Sequence, residues 1–527
     1  MYSLKGFSRL YTLTRSASGI SQASRRFFMG SMKSRPTLTA SSPSYSSIFK
    51  NQVARSHKLT LFNQASQRHF SDQTDKPGSY GMFEELREED DSRAASAKNL
   101  SLQLINTETS HHVLNIFERD FLKAGKDPIY AEELCLLLHF VVKHMGEVAG
   151  DIRLDSLLRM LFQRFENVDF EYCQTTVWSL GVLVSFRGLH IKLETKKKIL
   201  AELAKHEVPE EQIMNIPSLV FSLSTFFSPQ EIDSEVHDVM KKLITTYLNS
   251  DQESMQAVHA STLLIGLSRA NYHNEEFLHK IATEMKRPRF FFTAAEADIV
   301  NIVSSLAELH YKDEELLKAI HEDIQMKVDE MKPYHVLVLA QSYARLIPNK
   351  KEYYIDIAPR LVEVCEMKPE IFDTALYANQ WLTLACFRGE ESDGRIFGIA
   401  KTFQKVMNTQ DRFSYKDFST SEASNILVAI TSLNAISQTK SLSVKFTKPF
   451  VGILAKGLKE MQTMDLINTA KTSYYLREFP EFADFYHSVH SQLVQRLTSL
   501  SEAQRAALDK IYTDHGLLPH SPFMKKM

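Results

Sequence analysis

The chain has 527 residues, 43% hydrophobic and 24% charged, with a formal net charge of -2. Its 17 glycines and 16 prolines are few for that length, which argues for helices over many-stranded sheets. Four scattered cysteines, Cys135, Cys173, Cys365 and Cys386, form no CxxC pair, and this excludes a disulfide-framed secreted scaffold.

In chain order, the first feature is a charge asymmetry. Residues 1–70 carry 11 Lys/Arg and no Asp or Glu, leaving 51 basic against all 64 acidic residues for the remainder. An Arg-rich, Ser-rich, acid-free N-terminus has the composition of a mitochondrial presequence. Leu4, Phe7 and Tyr11 share one helical face, with Lys5 and Arg9 on another. Arg68-His69-Phe70 followed by Ser71 has Arg three residues before the junction, so cleavage is expected between Phe70 and Ser71. A cut near Arg26-Phe27-Phe28 is the competing choice. Residues 71–98 are then expected to be an acidic flexible linker, because Glu84, Glu85, Glu88, Glu89, Asp90 and Asp91 repel one another.

From residue 99 to 515 helical periodicity dominates, and 516–527 remain as a C-terminal tail. Leu134, Leu137, Leu138 and Val141 lie on one stripe. The longest nearly apolar run, 134–142, is broken by His139 and far shorter than the roughly 20 residues of a spanning helix. No integral membrane span is expected.

A short register then recurs: a small residue, Leu or Tyr, and another small or short residue. Its copies are Ser179-Leu180-Gly181, Ser222-Leu223-Ser224, Gly266-Leu267-Ser268, Ser305-Leu306-Ala307 and Ser342-Tyr343-Ala344. Looser copies are Thr383-Leu384-Ala385, Ser432-Leu433-Asn434 and Ser473-Tyr474-Tyr475. Successive centres are 43, 44, 39, 37, 41, 49 and 41 residues apart, and Leu138 lies 42 before Leu180. A period near 40 predicts an all-α chain, a right-handed-type α-solenoid of stacked helical hairpins. In each unit the small residues let a neighbouring helix approach closely. Asn274 and Asp313 are expected N-caps of second helices, with Glu275/Glu276 and Glu314/Glu315 near the positive helix end. Lys332-Pro333 and Lys368-Pro369 are expected to open first helices, whereas Pro217 and Pro359 should kink or shorten theirs. The long step is attributed to an inserted loop at 411–422.

The first-helix strings "EADIVNIVSSLAEL" (296–309) and "YHVLVLAQSYARL" (334–346) resemble the organellar RNA-binding helical-repeat superfamily. That group includes FAST kinase-like proteins and octotricopeptide or heptatricopeptide repeats. The resemblance covers about 165–480, without a recognisable RAP domain at the C-terminus. It implies a matrix protein holding single-stranded mitochondrial RNA in a groove, in RNA processing, stability or translation, and it carries no nuclease activity over. The net acidity of residues 111–527, 47 Lys/Arg against 55 Asp/Glu, points instead to a polypeptide ligand. On that reading the chain is a non-catalytic scaffold, assembly factor or accessory subunit of a mitochondrial complex.

The candidate RNA contacts are Lys286, Arg287, Arg289 and Phe290, at the head of a basic-aromatic run that continues through Phe291 and Phe292. Arg and Lys can hold phosphates while an exposed ring stacks a base. The same run also reads as an inter-repeat turn whose phenylalanines are core. Lys196-Lys197-Lys198 reads as a solvated helix face. Cys135 with His139, and His487 with His490, are each one helical turn apart, but two ligands fall short of the four of a structural zinc site. No phosphate loop, dinucleotide fingerprint, HExxH or nucleophile elbow is present. No enzyme, cofactor, metal or small-molecule substrate is expected.

Overall fold

All eight triplets fall in the C-terminal halves of helices in a computed structural model. It describes residues 81–144, 151–250, 255–292, 294–348, 350–367, 374–386, 394–409, 414–437, 444–461, 463–477 and 479–514. The Phe70/Ser71 junction, Lys368-Pro369 and the tail 516–527 lie outside the described residues. No strand occurs among the described residues. The chain divides into two compact units, one reaching Leu316 and the other beginning at Leu317.

The first unit contains α1 (Gly81–Leu104), α2 (Ser110–Phe117), a π-helical turn Glu118–Lys123, α3 (Ala131–Lys143), α4 (Ile152–Arg164), α5 (Phe170–Arg187) and α6 (Leu193–Lys205). It continues with α7 (Ile216–Phe226), α8 (Ser234–Leu248), α9 (Ala257–Arg269), α10 (Glu275–Met285), α11 (Glu296–Glu308) and the start of α12 (Glu314–Lys327). The second unit contains the rest of α12, then α13 (Pro333–Leu346), α14 (Lys351–Met367), α15 (Thr374–Cys386) and α16 (Gly394–Thr409). It ends with α17 (Thr420–Ser437), α18 (Val444–Gly457), α19 (Thr463–Leu476), α20 (Ala483–Arg496) and α21 (Glu502–Asp514).

The local chemistry repeats with the register. After α9, Asn271 turns left-handed at φ 48°, and Tyr272 N–H donates to Leu267 C=O at 2.9 Å. After α11, His310 does the same at φ 55°, and Tyr311 N–H donates to Leu306 C=O at 3.0 Å. Such six-to-one closures satisfy carbonyls that a helix end leaves orphaned. The next helices start as expected: Asn274 accepts from Phe277 N–H, and Asp313 from Leu316 N–H, both at 3.0 Å. On α10, Phe277, Leu278 and Ile281 are buried.

Alternate helices pack together. In the first unit α3, α5, α7, α9 and α11 each touch the next member of that series, and in the second so do α13, α15, α17 and α19. Small residues set the approach. A Cβ on Gly181 would lie 3.2 Å from the Ser222 carbonyl oxygen. A Cβ on Gly266 would lie 3.0 Å from the Phe221 backbone nitrogen and 3.1 Å from its Cα.

Three of the remaining helices are tied by cations reaching the previous such helix. Lys242 of α8 donates to Ala204 and His206 C=O at the end of α6, at 3.3 and 2.7 Å. Arg360 of α14 donates to Met331 C=O beyond α12 at 3.3 Å. Arg496 of α20 donates to the carbonyls of Leu458, Lys459 and Met461 beyond α18, at 3.2, 2.7 and 2.5 Å. Each of these helix ends leaves carbonyls that need donors, and a cation also suits the negative end of the helix.

Three local expectations change. Residues 81–104 are one helix, α1, where the acidic block led to an open linker being expected. Ala94, Ala95 and Ala97 are strong helix formers, and Ala97, Leu100 and Leu104 are buried. Pro217 is the second residue of α7, where proline is tolerated, and a 3₁₀ turn Glu210–Asn215 precedes it. Lys196-Lys197-Lys198 is not a solvated face. Lys196 is buried against Glu231 at 2.7 Å, Lys197 reaches Asp233 and Glu235, and Lys198 reaches Glu166 at 2.8 Å. Pro333 opens α13, as expected, whereas Pro359 lies inside the 17-residue α14, which is not shortened by it. Of the inserted loop, Tyr415–Asp417 is a 3₁₀ turn, and α17 already begins at Thr420.

Candidate interaction surface

In the first unit α5, α7 and α9 each lie between two members of the alternate series with intervening helices beside them, so each is left open along one narrow stripe. In α7 only Ser218 and Phe221 escape burial. In α9 the stripe is Val258, Thr262, Ile265 and Arg269, and in α11 it is Ala297, Asn301, Ser304 and Glu308. These run at i, i+4, i+7 and i+11, one helical face. On α5 the stripe holds Glu171, Thr175 and Trp178, and on α3 it holds Leu136 and Lys143.

The stripes align by register. Two residues before the centres Leu138, Leu180, Leu223 and Leu267 stand Leu136, Trp178, Phe221 and Ile265, an apolar row crossing four helices. Three residues earlier stand Thr175, Ser218, Thr262 and, on α11, Asn301, all short and polar. Aromatic contacts fix the row: the Trp178 ring lies 5.2 Å from that of His139, and the Arg269 guanidinium lies 5.5 Å over Phe221.

The row's edge at the helix N-termini is acidic. Asp169, Glu171 and Glu211 are exposed and make no ion pair among the described residues. Burial first, then repulsion from Asp169 and Glu133, raises the Glu132 carboxyl above its ordinary range, against the pull of Arg93. Glu171 is raised by the protein crowded around it and by the charges of Asp169 and Glu211. Asp169 and Glu171 together outweigh the roughly +0.5 charge of the α5 N-terminus, so this part of the edge repels phosphate. Glu133 is fully buried but satisfied by Lys126 and by Ser96, whose hydroxyl donates at 2.6 Å.

The basic-aromatic run lies in the turn between α10 and α11. Lys286 caps α10 and pairs with Asp313 at 3.0 Å and Glu315 at 3.3 Å; Arg287 pairs with Glu284 at 2.7 Å. Arg289 is exposed at φ 66° and makes no ion pair among the described residues. Phe290 is half-buried, its ring 5.0 Å from that of the buried Phe291, and the exposed ring is Phe292 at 76%. Two of the three cations therefore act within the chain, and the core-turn reading fits Phe291 but not Phe292. Cys135 is buried, and burial pushes its thiol up to about 12. It shares α3 with His139. His487 and His490 share α20, where Tyr486 stacks on His490 at 6.3 Å.

The apolar row was missed in the sequence although its signal is simple: Trp178 and Phe221 hold one register position. The acids Asp169, Glu171 and Glu211 were equally visible, at the start of α5 and in the turn before α7. No helix among the described residues is long and apolar enough to cross a membrane. No protein-family model and no curated protein matches the chain.

Proposed function

We propose that the chain is a non-catalytic mitochondrial scaffold, an assembly factor or accessory subunit that holds a partner polypeptide. On this reading its hairpins stack as a right-handed-type α-solenoid of period near 40, and residues 1–70 direct it to the matrix. The observation that carries the polypeptide reading is the chemistry of the open face: an apolar row of Leu136, Trp178, Phe221 and Ile265 beside exposed carboxylates. Phosphate binding requires positive potential, and this face carries Lys143 and Arg269 against Asp169, Glu171, Glu211 and Glu308.

A second reading, association with single-stranded mitochondrial RNA, is favoured by the row Thr175, Ser218, Thr262 and Asn301. Repeated short polar side chains beside stacking rings are how helical repeats address one base each. Exposed Arg289 and Phe292 add a cation and a ring. Crosslinking in intact mitochondria, with both RNA and protein recovered, separates the two. Discrete crosslinks from 132–308 to one or a few proteins, with RNA at background, are expected. Discrete RNA footprints would replace the scaffold reading with the RNA one.

A further inference from the structure

We propose that the open face of α3, α5, α7, α9 and α11 takes an amphipathic polypeptide segment with one apolar side and a Lys/Arg-rich edge. This rests on the scaffold reading above and names the partner's chemistry. The apolar row spans four helices, and packed helices lie 8–10 Å apart, so it runs about 27 Å. That matches an apolar side of about 18 helical residues at 1.5 Å each.

Orientation follows from charge. The carboxylates of Asp169, Glu171 and Glu211 lie along the edge where these helices begin, and Glu132 stands at the start of α3. Glu132 is 6% exposed, and its Oε2 has no hydrogen-bond partner among the described residues. Carboxylates that disfavour one another's ionised forms gain from an incoming ammonium or guanidinium group, which removes the repulsion and adds a charge-assisted contact. At the opposite edge Arg269 and Lys143 lie over the Phe221 and Phe140 rings. A bound segment therefore turns its cations toward the helix N-termini and its apolar side onto Trp178 and Phe221. An acidic segment of the same shape is rejected by the same edge, so the carboxylates set specificity while the row supplies contact area.

The test uses the full chain and four fluorescent probes: an 18-residue amphipathic Leu/Lys helix, its Leu/Glu counterpart, a scrambled Leu/Lys peptide, and a 20-nucleotide oligo(U). The Leu/Lys helix should bind at least tenfold more tightly than the Leu/Glu or scrambled peptide. The triple variant Asp169→Asn, Glu171→Gln, Glu211→Gln should narrow the Lys-over-Glu preference to under twofold. Phe221→Ala with Ile265→Ala should weaken both amphipathic peptides about equally, with helical circular dichroism unchanged. Equal binding of the Lys and Glu peptides, or a triple variant that keeps the preference, overturns the charge assignment and leaves the scaffold reading standing. Failure of every peptide to bind, or displacement of the Leu/Lys helix by oligo(U), overturns both.

Discussion

Between α5, α7 and α9 the helices meet by leaving side chains out, whereas around α15 the space is filled with the largest side chains the chain has. In the first unit Gly181 and Gly266 face backbone atoms at 3.2 and 3.0 Å. In the second, Trp381 is fully buried, its ring 5.8 Å from Phe403 and 5.7 Å from Phe446, with Tyr377 6.4 Å away. Rings bring polar tips, and not all are satisfied: Trp381 Nε1 is buried without a hydrogen-bond partner among the described residues. Tyr377 donates to Phe403 C=O at 2.7 Å. The Tyr343 hydroxyl lies 3.2 Å from His321 Nδ1, while His321 Nε2 lies 3.0 Å from Asp356. One register thus accommodates close backbone contact and aromatic filling, which shows that the triplet marks where helices meet and not how tightly they do so.

The largest test of this contrast is Trp381→Ala. Emptying a fully buried aromatic site costs about 3–5 kcal/mol, read as a lower urea midpoint. A loss below about 1 kcal/mol would mean that the aromatic cluster collapses freely and specifies little. Next is Gly266→Val, where added methyls meet the Phe221 backbone, a part that cannot rotate away. Overpacking of this kind costs about 1–3 kcal/mol, and an unchanged midpoint would deny the close approach of α7 and α9. The exposed helical Gly452 has open space around its missing Cβ, so Gly452→Ala should instead stabilise by about 0.5–1 kcal/mol through helix propensity.

Tyr343→Phe sharpens the comparison within the second unit. It keeps the ring but leaves His321 Nδ1 without its hydroxyl, for a loss of about 1 kcal/mol in the same urea assay. The smallest effect concerns pH. Folded Glu132 holds its proton more readily than the unfolded chain does, mainly because it is buried. Its contribution to stability therefore falls as pH rises from the unfolded carboxyl pKa of about 4.3 through the folded value. Glu132→Gln should raise the melting temperature at pH 7 and leave it unchanged below about pH 4; a gain that persists in acid would point to packing instead.

Several of these features were legible in the sequence because their causes are local. A cap needs Asn or Asp beside a helix start, so Asn274 and Asp313 could be named in advance. Close approach needs small residues, so the triplets could be too. What was not legible depends on distant partners. The acids that occupy Lys286 lie 27 and 29 residues away, at the start of α12, two helices on. The Lys196 ammonium is buried by Phe226, Phe227 and Glu231, contacts that only packing brings together. The open stripes required knowing which flank of each helix its neighbours cover. The helix at 81–104 was misread because charge repulsion was weighed without the alanines and the buried side chains of Ala97, Leu100 and Leu104.

The cations at the ends of alternate helices give the chain a direction. Lys242, Arg360 and Arg496 reach carbonyls 29 to 38 residues earlier, never later. A chain emerging N-terminus first, from a ribosome or through a membrane pore, thus presents each such helix end to water until about three dozen further residues have followed. Each of these three helix ends is completed only by later residues, so a chain interrupted between them carries an incomplete end at the point where growth or passage stopped.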